Sequence, residues 1–367
     1  MDYTKNAEKE TVIKKRNLKT RLKNSIIIFF VLVFTGTTVF GAPDGADGKF
    51  DPSSFIIDHI VDSHEWHLWD KKDGGSVAIY LPVILYSKSK GFDVFSSKKI
   101  SHGHVHNGYR LEEEGDYKGV IVSVDEAGNI DEANIPLDFS ITKTVAGLFF
   151  ACVIGLFLFI GLSRSYKKTG VSHPQGIQSF LEPVILFVRD EIAITNIGKD
   201  KYEKFMPYLL TAFFFILINN LMGLVPFPPP FGANVTGNIA VTMTLAVFTF
   251  AVTQISSNKQ YWKHIFATPG VPVWLLPIMV PVEILGMFTK PFALTIRLFA
   301  NITAGHIIIL SLVGLIFVFK SLIISPVTIL FVIFMNCLEL FVAFLQAYVF
   351  TLLSALFIGQ AVVEDHH

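Results

Sequence analysis

Five ionisable side chains stand inside two long apolar stretches: Glu283, Lys290, Arg297, His306 and Glu339. Each is expensive in hydrocarbon, so each must face protein, water or a partner. One such residue alone is as well explained by an ion pair that fastens two helices. A group of them along one helical hairpin points instead to a path for ions. Arg297 cannot relay a proton, because a guanidinium stays protonated at any physiological pH. It can attract a carboxylate and keep it ionised. On an ideal helix Glu283 and Asn301 fall within about 40° of Arg297, whereas His306 falls about 180° away. Arg297 and His306 therefore look toward different neighbours. Asn336, Glu339 and Gln346 fall on one face of the last helix. A hairpin partner could place Glu339 beside His306, and a His–carboxylate pair exchanges protons near neutral pH.

The elements that must position these residues are long. From Val273 to Lys320, and again from Pro326 to Val363, the sequence stays apolar without a clean break. Runs of roughly 40 residues at 1.5 Å per residue reach about 60 Å, twice the roughly 30 Å hydrocarbon layer. Such helices must tilt steeply, bend or break, and Pro272, Pro277, Pro281 and Pro291 offer bends in the first. The expectation is a hairpin of two long tilted helices. Three further spans precede it, at Val145–Leu162, Met206–Val225 and Ile239–Ile255. Between the first two, residues 176–193 mix apolar positions with Glu182, Arg189, Asp190 and Glu191, the pattern of an interfacial amphipathic helix. Residues 260–272 read as a polar loop. The fold class is thus an all-α polytopic membrane protein of five mature spans, with a small N-terminal α+β or β-rich domain.

Composition agrees. The chain has 367 residues, 51% of them hydrophobic and only 16% charged, and one soluble core cannot hide that much apolar surface. Its 35 Phe suit lipid-facing helix surface better than chemistry. The formal net charge is zero, so nothing suggests a nucleic-acid partner. Two cysteines, Cys152 and Cys337, both lie in apolar runs and form no metal spacing.

Residues 1–41 carry a basic stretch, an apolar run from Ser25 to Phe40 and then Gly41-Ala42-Pro43, the pattern of a secretory signal cleaved after Gly41, with an uncleaved anchor as the alternative. Residues 42–140 are then exported to the periplasm, with strand-like stretches at Val77–Tyr86 and Gly119–Val124 and turns at Gly74-Gly75 and Glu126–Asn129. Residues 141–367 form the membrane domain. Positive residues Arg164–Lys168, Arg189–Lys204, Lys259 and Lys263 set the cytoplasmic side, where the C-terminus also ends, and Lys320 is the one misplaced charge. In the exported segment His64-Glu65-Trp66-His67 is only half a metal site. His102, His104 and His106 would share one face of a strand. A solvated surface or a stator contact explains them better than a metal.

The stretch from Lys290 to His306, KPFALTIRLFANITAGH, resembles the signature of the F-type ATP synthase a-subunit family, and Glu339 with Gln346 resembles its second signature in the final helix. The resemblance covers roughly residues 176–367 and, more weakly, the first span. It implies a non-catalytic subunit of a proton-translocating complex in the bacterial inner membrane. Its implied partners are the ring of c subunits, the b-subunit peripheral stalk and the remaining synthase subunits, and no cofactor is called for. By that match Arg297 is the stator charge facing the rotor. His306, Glu339, Asn301 and Gln346 line the periplasmic half-channel, and Glu283 lies on the cytoplasmic side. Many members exchange the acid and the imidazole found here at His306 and Glu339, which keeps the composition of the pair. Asn219 and Asn220 are candidates for supporting polar groups, or they simply bond between helices. Residues 42–140 depart from the shorter members.

Two rivals are weaker. A secondary ion-coupled transporter would usually show internal repeats, and none is visible. An intramembrane metalloprotease needs a motif such as HExxH with a third ligand, and the membrane region offers only His306.

Overall fold

The computed structural model describes residues 56–57, 60–70, 76–113, 115–125, 128–169, 176–225, 231–267, 272–319 and 325–362. The signal segment 1–41, the Gly74-Gly75 turn and Lys320 lie outside the described residues. Among the described residues seven short strands come first: β1 (Glu65–Asp70), β2 (Ser76–Tyr80), β3 (Pro82–Ser87), β4 (Gly91–Ser96), β5 (Tyr109–Leu111), β6 (Ile121–Ser123) and β7 (Leu137–Asp138). Seven helices follow: α1 (Lys143–Thr169), α2 (Ile177–Phe187), α3 (Tyr202–Leu224), α4 (Ile239–Ser256), α5 (Lys259–Phe266), α6 (Leu276–Phe319) and α7 (Ser325–Val362). Helix α2 runs on through a π-helical turn, Val188–Ile194, and a last turn at Thr195–Ile197.

The strands pair as β1–β2, as β4–β3–β7 and as β5–β6, all antiparallel. Val83, Leu85, Phe95, Ile100, Tyr109 and Ile121 fill the core between them. The stretch Val77–Tyr86, expected as one strand, is two. Leu81 separates β2 from β3, and its amide donates to the His64 carbonyl oxygen. Each half then finds a different partner strand. In the turn after β6 the Gly128 amide donates to the Asp125 carbonyl oxygen, and the Asp125 amide to that of Asn129. His102, His104 and His106 do not lie on a strand. His102 sits at φ 57° inside a 3-10 turn, Ser101–Gly103, and the His106 ring packs edge-on against Phe95. Among the described residues no group of three His, Cys, Asp or Glu side chains could hold a metal.

Among the described residues five helices, α1, α3, α4, α6 and α7, are long and apolar enough to cross a membrane. Their outer faces carry large exposed apolar side chains such as Phe157, Phe248, Leu285 and Phe341, the surface a bilayer covers. Helix α6 is continuous over 44 residues and α7 over 38. Pro281 and Pro291 lie inside α6 without ending it. The expected hairpin is therefore present, with both helices longer than a perpendicular span needs.

Residues 260–272, expected as loop, begin instead with α5. Asn258 caps it, its side chain accepting from the Tyr261 amide at 2.8 Å. Eight residues with a charged outer face are too short for a periodicity signal, and packing against α6 and α7 secures the helix.

Candidate functional site

Helix α7 packs against both α3 and α6, and α4 packs against both α6 and α7. The inward face of α7 carries the polar line expected for it. Asn336, Glu339 and Gln346 are all buried. Opposite Glu339 stands His306 of α6, with Nδ1 2.6 Å from Glu339 Oε1. The Glu339 side chain is 6% exposed and that of His306 20%. Nδ1 also lies 3.2 Å from the Ile302 carbonyl oxygen one turn back. Glu339 Oε1 has no well-aligned hydrogen-bond donor among the described residues. The 2.6 Å approach is thus a close nitrogen–oxygen contact between an imidazole and an acid, with the same ring nitrogen also facing the backbone.

One glycine, Gly305, permits this approach, and a second, Gly223, borders it at ordinary contact distance. A β-carbon on Gly305 would stand 3.0 Å from Glu339 Oε1 and 3.3 Å from its carboxyl carbon. One on Gly223 of α3 would sit 3.9 Å from His306 Nε2 and 3.6 Å from the Ala233 carbonyl oxygen. Neither glycine stands out in the sequence as anything but a tolerated helical residue.

Arg297 lies on the other side of α6. It is exposed, and no hydrogen-bond or ion-pair partner for it occurs among the described residues. Its neighbours on that face are small or short: Ala293, Ala300, Asn301 and Ala304, all exposed. On an ideal helix these four lie within about 60° of Arg297. Small side chains let another helix come close. Asn301 stands exposed on the Arg297 face of α6, as its four-residue spacing from Arg297 has it. Glu283 is half-buried on α6, fourteen residues before Arg297 and so about 21 Å along the axis. Lys290, between them, donates from Nζ to Gln360 Oε1 at 2.8 Å, near the end of α7.

The two asparagines of α3 separate in role. Asn220 donates from Nδ2 to the Ala343 carbonyl oxygen of α7 at 3.1 Å and accepts from Thr236 Oγ1 at 2.6 Å. It therefore ties α3 to α7 and to the α3–α4 loop. Asn219 donates only within its own helix, to the Phe215 carbonyl oxygen. A further hydroxyl cluster escaped the sequence reading altogether. Tyr208 Oη lies 2.6 Å from Thr249 Oγ1, which lies 3.3 Å from Ser354 Oγ. Nothing in the spacing of these residues links three separate helices.

A family model described as ATP synthase A chain matches residues 145–359. A second model, domain of unknown function DUF8433, matches residues 55–139. The chain is 51% identical over 236 residues to a Chloroherpeton thalassium protein named ATP synthase subunit a, covering 63% of this chain and 69% of the relative. It is 52% identical over 238 residues to an ATP synthase subunit a 2 of Chlorobaculum tepidum, covering 63% and 66%. A Myxococcus xanthus ATP synthase subunit a is 50% identical over 238 residues, covering 63% and 76%.

Proposed function

The chain belongs to the ATP synthase A chain family, and from that premise we propose that it forms the stationary side of the proton path through the synthase. Arg297 is the stator charge. It faces the ring of c subunits across the stripe of Ala293, Ala300, Asn301 and Ala304, and meets the carboxylate that each c subunit presents. His306 and Glu339 form the proton-exchanging pair of the periplasmic half-channel, with Gln346 on the same face of α7. Glu283 stands toward the cytoplasmic side, and Asn220 holds the helices that frame the pair. The b-subunit stalk and the remaining synthase subunits complete the assembly in the bacterial inner membrane. Residues 42–140 are periplasmic and the C-terminus is cytoplasmic.

The observation that carries this reading is the placement of Arg297. A guanidinium at mid-helix, exposed and without a partner in the described chain, is costly in lipid. An external carboxylate would remove that cost and be kept ionised by it. The His306–Glu339 pair lies about 180° around the same helix, so the fixed charge and the exchanging pair are kept apart. A proton that leaves the pair must then pass by the rotor rather than straight through α6.

Arg297→Ala should abolish ATP-driven proton pumping in inverted vesicles while the complex still assembles. Arg297→Lys should also fail to restore coupling, because an ammonium is a more localised charge and can lose its proton when desolvated. Normal ATP synthesis by the alanine variant would overturn the assignment.

A further inference from the structure

The N-terminal unit is bolted to the membrane helices at two places. Asp62 Oδ1 accepts from the Thr144 amide at 2.9 Å, and the Ser63 carbonyl oxygen accepts from the Lys143 amide at 2.9 Å. These are first-turn amides of α1, which have no partner inside the helix, and a carboxylate there also suits the positive end of the helix dipole. The second contact is Trp66 of β1. It is 7% exposed and packs with Ala233 and Val235, which are 1% and 0% exposed. Both belong to the loop between α3 and α4.

That loop reaches the His306–Glu339 pair. Thr236 bonds to Asn220 of α3, and Thr303 Oγ1 of α6 lies 3.5 Å from the Gly237 carbonyl oxygen, one turn before His306. The Ala233 carbonyl oxygen and the His306 ring flank the same glycine, Gly223. Helix α1 presses on the loop as well. A β-carbon on Gly147 would come within 2.8 Å of Ala233 Cβ and 3.0 Å of Val235 Cγ2. Trp66, the loop and His306 thus form one packed series, with Trp66 holding the loop from outside.

We propose that the described residues between 60 and 142 act as a roof: through Trp66 and Asp62 they hold residues 233–237 of the α3–α4 loop in place and so limit access from the exported side to the His306–Glu339 pair. The species admitted is water and its protons, and bulkier solutes are kept out. Trp66 is a positioning residue here, acting through Ala233 and Val235. The proposal rests on the periplasmic assignment of that pair made above.

The test is thiol accessibility in the assembled complex. Cys152 and Cys337 are replaced by Ser, and His306→Cys is labelled from the exported side with a charged, membrane-impermeant methanethiosulfonate. Rates are normalised to assembled complex. Trp66→Ala should raise the labelling rate several-fold, and Trp66→Phe should leave it near the parent value. Asp62→Asn keeps the Trp66 packing and should give a smaller rise, so it tests the same dock if the alanine variant does not assemble. A labelling rate unchanged or lowered in both Trp66→Ala and Asp62→Asn overturns the roof. A failure of the stator reading would appear elsewhere, as normal pumping by Arg297→Ala, and would leave these labelling rates untouched.

Discussion

Gly305 sets how closely Glu339 approaches α6: a β-carbon at that position would stand 3.0 Å from Oε1 and 3.4 Å from the side-chain γ-carbon. The 2.6 Å contact between His306 and Glu339 depends on that missing carbon. Gly305→Ala should therefore push the carboxylate back by a few tenths of an ångström. The cost of such overpacking is about 1–3 kcal/mol, and proton pumping should fall several-fold with assembly largely kept. Gly305→Val should fail to assemble normally. Pumping rates in inverted vesicles, normalised to assembled complex, decide it. An alanine variant that pumps at the parent rate would mean the close contact is not needed.

His306 and Glu339 should behave as a pair. Removing either leaves the other buried and poorly compensated, a loss of roughly 3–5 kcal/mol for a broken buried ion pair. His306→Ala and Glu339→Ala should each slow proton passage strongly while Arg297 keeps its charge. The double exchange His306→Glu with Glu339→His keeps one acid and one imidazole, and should retain more pumping than either single exchange. If the double exchange is no better than the worse single one, the two residues are not a functional pair.

Asn220 and Asn219 are adjacent in sequence but should respond differently. Asn220→Leu strands the Ala343 carbonyl oxygen and the Thr236 hydroxyl, at about 1–3 kcal/mol for each buried group left unsatisfied. It should lower the thermal stability of the purified complex and loosen the α3–α4 loop. Asn219→Leu gives up only a bond within its own helix, and should cost much less. Equal losses from the two substitutions would contradict the assignment of Asn220 as the inter-helix tie.

The N-terminal unit should weaken in acid through Asp138. His64 Nε2 donates to Asp138 Oδ2 at 2.9 Å, joining the start of β1 to β7 just ahead of α1. Burial raises the Asp138 carboxyl, but hydrogen bonds from His64 and Ser140 outweigh it and hold the group below its ordinary value of 3.8. A carboxyl depressed in the folded state contributes stability that is complete above its unfolded value. That contribution is lost as pH falls through the folded one. Local unfolding of residues 60–142, followed by limited proteolysis, should therefore increase as pH falls below about 4. Asp138→Asn should flatten that part of the profile. An unchanged profile in the variant would remove Asp138 from the account.

The sequence alone determined the long apolar helices and the few ionisable residues they carry. Both follow from composition and period: hydrocarbon admits only hydrogen-bonded helices, and every charge among them is conspicuous. Even the opposition of Arg297 and His306 on α6 follows from helix geometry. Some features had no such local signal. The residues of α5 are mostly polar, and tertiary packing completes what its Asn258 cap begins. Gly305 owes its importance to a neighbouring helix, which a single-chain pattern does not contain. The roofing contact of Trp66 with Ala233 and Val235 joins segments more than 160 residues apart. Periodicity reports which face of an element is apolar. Which two faces meet, and how closely, is decided by the close packing of side chains from distant parts of the chain.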